Sequence, residues 1–198
     1  MNSPRQFTEV PAGKIAAIVT SLEMLSAPPP RPERSDLGLS LRREAQPDLD
    51  WFRALFRRTG EDWLWFSRLT MTDAVLRAII HDPAVEVYPL IAGEQEAGLL
   101  ELDFRVAGEC ELSYFGLLPQ FIGSGAGRWL MNRAIELAWS RPIRRFWVHT
   151  CTFDHPDALA FYRRSGFRAF RREVEISDDP RLTGAMPRNA TPHIPIIE

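Results

Sequence analysis

Lysine is almost absent from this chain: of its 24 basic residues, Lys14 is the one lysine and the rest are arginines. Its basic chemistry is therefore carried by rigid, bidentate guanidinium forks rather than flexible point charges. Cysteine is scarce too. Cys110 and Cys151 are too few for a disulfide framework, and neither belongs to a CxxC pair or another zinc spacing, so no metal site is expected. Long apolar runs are missing. Ile15–Val19, the longest near the N-terminus, is far short of a membrane span and lacks the basic flank of a signal peptide. The formal net charge of −2 gives no bulk attraction to nucleic acid or to an anionic membrane. These absences leave a soluble cytoplasmic protein, with no nucleic acid or membrane partner, as the expectation.

What is present suits one folded domain with extensions. The chain has 198 residues, 45% hydrophobic and 11% aromatic, enough to bury a full core. A β-branched stretch from Lys14 to Leu25 predicts a strand, and Pro28, Pro29, Pro30 and Pro32 then form a stiff linker. Residues 1–38 thus read as an N-terminal strand and linker, either an added edge strand or an arm exchanged with a second subunit in a homodimer. Residues 39–177 carry the core domain. Leu39 and Leu41 alternate with polar neighbours as a half-buried strand does. Leu49, Phe52, Leu55 and Phe56 recur at helical spacing before Gly60, and Thr72-Asp73 opens a second helix with Val75, Leu76, Ile79 and Ile80 on its apolar stripe. Strands follow at Val85–Ala92, Ala97–Val106 and Glu109–Leu118, with Gly93 and Gly108 in the turns. A glycine-rich turn, Gly123–Gly127, feeds a helix to about Trp139. A strand at Arg145–Thr150, a helix at Pro156–Ser165 and a strand at Arg168–Ile176 complete the domain. The order predicts an α/β fold, a mixed sheet with helices on both faces. Residues 178–198, with Pro180, Pro187, Pro192 and Pro195, read as an extended or flexible tail.

The densest chemical signal is Glu111-Leu-Ser-Tyr-Phe-Gly-Leu-Leu-Pro119-Gln-Phe-Ile-Gly123-Ser-Gly125-Ala-Gly127-Arg-Trp-Leu130. It spells strand, proline break, glycine turn and helix start, which together can hold a phosphate or pyrophosphate on unpaired N–H groups. Two nucleotide classes are excluded. A P-loop needs lysine after the turn, and the one lysine stands at position 14. A dinucleotide fingerprint needs its third glycine where Arg128 stands, and an acid near Val148-His149-Thr150, where there is none.

The stretch closely resembles the first motif of the GNAT (Gcn5-related) N-acetyltransferases, V-x-P-x-x-[RQ]-G-x-G-[IVLA]-G-x-x-L, with Ile122 in the Arg/Gln position. Downstream, His155-Pro-Asp-Ala158-Leu-Ala-Phe161-Tyr162-Arg-Arg-Ser-Gly166-Phe167 looks like that family's N-x-x-A-x-x-[FL]-Y-x-x-x-G-F helix, with His155 in place of Asn. Glu111-Leu-Ser-Tyr-Phe-Gly-Leu and His149-Thr-Cys-Thr-Phe-Asp-His-Pro are similar to a bacterial subgroup of the same family.

The resemblance implies a GNAT-like, mostly antiparallel sheet with one extra N-terminal strand, and acetyl transfer from acetyl-CoA directly to an amine of a small molecule or peptide, without a metal. It places Leu117, Leu118, Ile122, Gly123, Ser124, Gly125, Ala126, Gly127 and Arg128, then His155, Ala158, Phe161 and Arg164, on acetyl-CoA. The backbone N–H groups of Leu117 and Leu118 would meet the thioester carbonyl. Tyr162 matches the tyrosine that protonates the CoA sulfur; otherwise it is a helix tyrosine half in the core, with Phe161 the better core residue. Glu111 matches a strand glutamate used as a base, or is simply a charge on a strand's outer face. Glu101 and Asp103, on one face of the neighbouring strand, stand in reserve.

The cluster His149-Thr-Cys151-Thr-Phe-Asp154-His155 invites a thiol-nucleophile or metal reading. Asp154 as the cap of the next helix and Cys151 as a small buried group account for it more simply. The aromatic run Trp51, Phe52, Phe56, Trp63, Trp65 and Phe66 falls where the family covers its acceptor, although core packing claims such rings as well. Arg128, Arg163, Arg164, Arg168, Arg171 and Arg172 fall near the cofactor's phosphates, whereas Arg5, Arg31, Arg34, Arg53, Arg57 and Arg58 gain no such role and reflect compositional bias. The replacements at Ile122 and His155 also fit a non-catalytic acyl-CoA-binding sensor.

Overall fold

The computed structural model describes residues 7–198, so Arg5 and the start of the N-terminal segment lie outside the described part. Seven strands form one sheet: β1 (Lys14–Met24), β2 (Leu39–Leu41), β3 (Val85–Ala92), β4 (Gln95–Asp103), β5 (Glu109–Leu117), β6 (Arg145–Cys151) and β7 (Arg168–Asp178). Their order is β2-β3-β4-β5-β6-β1-β7, antiparallel throughout except between β5 and β6. The helices are α1 (Leu49–Gly60), α2 (Ser67–Thr70), α3 (Asp73–Ile80), α4 (Ala126–Trp139) and α5 (Ala158–Arg164).

The apolar stripes decide which face each helix covers. Phe52, Leu55 and Phe56 of α1 and Leu76 and Ile80 of α3 pack on Val87 and Leu99. Leu130, Met131 and Ala134 of α4 and Tyr162 of α5 pack on the other face, against Leu100, Leu102, Leu112, Phe146 and Val148. Leu99 and Leu100 point to opposite helical layers, as strand alternation requires. The Asp48 carboxylate caps α1, accepting the N–H groups of Asp50 at 3.0 Å and Trp51 at 2.9 Å. No helix of the described residues is long and apolar enough to cross a membrane.

Two expectations are corrected. β1 is not an edge strand: it lies between β6 and β7, paired with Val148 through Leu22 on one side and with Val174 through Ile18 on the other. Ile15, Ala17, Leu22 and Met24 are buried, so both its pairing edges and its apolar side chains are used within the same chain. The segment after β7 is not a loose tail. Asp179 and Arg181 form a buried ion pair at 2.7 Å, and Arg181 Nη1 also donates to the carbonyls of Ala190, Thr191 and Ile194. One arginine fork thereby satisfies backbone groups that no helix or strand pairs. Met186 and Ala190 then pack with Ile15 and Leu64.

Candidate active site

β5 and β6 run side by side for three residue pairs only, Glu109 with Arg145, Cys110 with Phe146 and Glu111 with Trp147, and then part. A bulge helps them diverge. Against β4, Tyr114 pairs with Glu101 and Leu112 with Leu102, leaving Ser113 as the extra residue that bends β5. A cavity of about 460 Å³ opens where the strands separate.

The glycine turn forms one wall. After a 3-10 turn at Pro119–Phe121, Gly123 (φ 80°) and Gly125 (φ 99°) take left-handed backbone conformations that a side chain would strain, and α4 begins at once. The amides of Gly123, Gly125 and Gly127 have no acceptor among the described residues, and all three glycines line the cavity. Donors left open at a helix start suit a pyrophosphate. Ile122 and Arg128 stand at the same mouth. Ser124 and Ala126 do not reach it: the Ser124 hydroxyl donates to the Phe121 carbonyl at 2.7 Å and accepts the Ala126 N–H at 3.2 Å, and Ala126 is buried. Leu118 needs correction, because its N–H donates to the Ala97 carbonyl at 2.8 Å and is not free for a thioester. Leu117 stays in the wall.

α5 supplies the next wall, bringing Ala158, Phe161, Tyr162 and Arg164 to the cavity, with His155 from the loop before it. Tyr162, not Phe161, is the more deeply buried of the aromatic pair, its ring set among Phe115, Phe161 and Phe167. Burial raises its phenol well above the ordinary tyrosine pKa, so the group is a neutral hydrogen-bond donor. His155 Nδ1 accepts the Asp157 N–H at 3.1 Å, and its ring lies against Trp63. Asp154 does not cap α5. Its carboxylate accepts from Trp65 Nε1 at 3.1 Å, Thr150 Oγ1 at 2.7 Å and the Cys151 N–H at 2.9 Å, tying this loop to the aromatic wall.

On the β6 side, His149 faces the cavity and Glu111 does not. Glu111 Oε1 stands behind the ring, 3.6 Å from His149 Nδ1. The carboxylate of Glu111 is the main cause raising the imidazole pKa, with Asp154 and Glu175 adding to it and burial opposing. The reserve acids are sequestered. Glu101 is fully buried against Arg68 at 2.5 Å, where loss of solvent lifts its carboxyl pKa, and Asp103 is paired with Arg105. Burial also pushes the Cys151 thiol up to about 11, leaving it neutral and weakly nucleophilic at pH 7.

Of the aromatic run, Trp63, Trp65 and Phe66 line the cavity with Tyr114 and Phe153, whereas Phe52 and Phe56 are core residues. Trp65 fits because two neighbours lack side chains. A Cβ at Gly60 would lie 2.4 Å from Trp65 Cβ, and one at Gly116 would lie 2.8 Å from its ring. The acidic residues lining the cavity are Asp154, Asp157 and Glu175.

The site is thus a splayed parallel strand pair over a glycine turn, in a sheet with helices on both faces. A sequence model of the Acetyltransferase (GNAT) family matches residues 49–167, and the chain belongs to this family. No curated protein sequence matches it significantly. Among solved structures, a GCN5-related N-acetyltransferase from Sphaerobacter thermophilus superposes with a TM-score of 0.59 at 17% identity, over 82% of this chain and 52% of that one. This chain thus spans about half the length of that protein. An aminoglycoside acetyltransferase from an uncultured soil metagenomic sample, solved with trehalose, gives a TM-score of 0.54 at 18% identity over 67% and 90% of the two chains. A transcriptional regulator from Bacillus halodurans C-125 gives 0.54 at 22% identity over 69% and 97%. At these identities the likeness is one of fold.

Proposed function

We propose that this chain is an N-acetyltransferase that passes the acetyl group of acetyl-CoA directly to an amine of a small molecule or peptide. The observation that carries the reading is the meeting of open turn amides, Tyr162 and His149 on one cavity at the strand splay. Acetyl-CoA supplies the thioester that is cleaved. The amides of Gly123, Gly125 and Gly127 bind its pyrophosphate, and Leu117 places a backbone N–H at the thioester carbonyl. Tyr162 gives its proton to the departing sulfur. His149 accepts the proton of the attacking amine through Nε2 while Glu111 steadies Nδ1, so the base assigned to Glu111 from sequence acts through a histidine. Trp63, Trp65 and Phe66 favour an acceptor with an apolar or aromatic body, and Asp154 and Glu175 favour a cationic amine.

Calorimetric titration with acetyl-CoA, followed by a thiol-release screen across amines, tests the reading. Binding with release on an aromatic or apolar amine supports it. Binding without release on any amine favours the sensor that Ile122 and His155 suggest, and absence of binding refutes both.

A further inference from the structure

Sequence leaves Arg31 without a role; the fold gives it one. Because β1 sits beside β7 and β2 lies at the opposite edge, the proline-rich linker between them must cross a helical layer. It crosses α4 and is fastened there. Asn132 Nδ2 donates to the Arg31 carbonyl at 2.8 Å, and its Oδ1 accepts the Arg31 N–H at 3.3 Å. Arg128 Nη1 donates to the Pro32 carbonyl at 3.0 Å, and Glu33 pairs with Arg133 at 3.2 Å. The Arg34 stem packs over the turn, 3.5 Å from where a Cβ on Gly125 would lie, while its head pairs with Asp36.

This path brings Arg31 into the field of Arg128 and Arg164, both at the cavity mouth. Half-burial and the charges of those two guanidinium groups lower the Arg31 pKa. None of the three forms an ion pair with a carboxylate among the described residues, whereas Arg34, Arg68, Arg133, Arg145 and Arg181 all do. Three guanidinium groups with no carboxylate paired to them, beside open turn amides, make a site for a polyanion, Glu33 nearby being taken up by Arg133 and Asn132.

We propose that Arg31, Arg128 and Arg164 bind the 3′-phosphate of CoA, with the N-terminal linker, outside the family match at residues 49–167, closing the site over α4. This rests on the acetyl-CoA reading above. The pyrophosphate carries one charge on each phosphorus and is served by turn amides. The terminal phosphomonoester carries up to two charges on three open oxygens, which suits several convergent forks.

Calorimetric titration with acetyl-CoA and with its 3′-dephospho analogue tests the site. The wild-type chain should bind the dephospho analogue about tenfold more weakly, as expected for losing charged hydrogen bonds. Arg31→Ala should weaken acetyl-CoA by about the same factor and leave the analogue's affinity unchanged. Asn132→Ala, which unfastens the linker without removing a charge, should reproduce that selective loss. Thermal melts establish that both variants are folded. Equal wild-type affinity for the two ligands, or equal losses for both ligands in Arg31→Ala, overturns the site alone. A wild-type chain that binds neither ligand overturns the acetyl-CoA reading and the site with it.

Discussion

Tyr162 and His149 reach the cavity from α5 and β6, and their surroundings fit opposite tasks. Burial keeps the phenol protonated, as a donor to a leaving sulfur must be. Tyr162→Phe should therefore lower kcat by roughly a hundredfold, within the usual range for general acid catalysis, with acetyl-CoA affinity unchanged by calorimetry. His149 is the reverse case: Glu111 first, then Asp154 and Glu175, raise its imidazole pKa against the effect of burial, as suits the proposed base. Removing one of those carboxylates makes the imidazole easier to deprotonate. In Glu111→Gln the acidic limb of the kcat/KM profile should move to lower pH, while the plateau falls because the base is weaker and less well oriented. A limb that stays in place would detach Glu111 from the mechanism. Tyr162 and the glycine turn are legible in sequence because their spacing is local. The His149–Glu111 pair is not, since it depends on the parallel register that sets Glu111 beside Trp147.

At the scale of elements, helices and strands followed from periodicity and turn residues, while their neighbours did not. Lys14–Met24 announces itself as a strand through Ile15, Ile18 and Val19, yet nothing local says that it enters between β6 and β7. Asp154 reads as a cap by position, but the free donors of Trp65, Thr150 and Cys151 claim it. Close packing constrains β5 as well. Gly116→Ala would put a Cβ 2.4 Å from Thr59 Cγ2 and 2.8 Å from the Trp65 ring. Urea denaturation should show a loss of about 1–3 kcal/mol, typical of overpacking. The same substitution should displace Trp65 and raise the KM for the amine more than that for acetyl-CoA.

Over the whole molecule, segments on either side of the family match at residues 49–167 pack around the elements that form the cavity. β1 holds β6 and β7 in place, the linker crosses α4, and the segment after β7 packs on Leu64 and Phe66 behind the aromatic wall. Arginine does much of this joining. Arg53 pairs with Asp73, Arg58 with Glu96, and Arg57 donates to the Ala185 carbonyl, so residues with no role in the sequence pattern fasten distant segments. Arg181→Ala would leave Asp179 buried and unpaired, costing about 3–5 kcal/mol in a denaturation experiment. β7, at one edge of the sheet, exposes Phe170, Val174 and Ile176 among the charges of Arg168, Arg171, Arg172, Glu173, Glu175 and Asp178. The proposed acceptor is the least legible part, because the wall around it draws Trp63, Tyr114, Phe153 and Glu175 from separate segments of the chain.

Thiol release from acetyl-CoA, followed as amines with apolar or aromatic bodies are added to the wild-type chain, decides whether the cavity transfers acetyl groups. Direct acetyl transfer should give amine-dependent release that falls sharply in Tyr162→Phe. A protein that binds acetyl-CoA but releases no thiol with any amine, or releases it equally well without Tyr162, would contradict it.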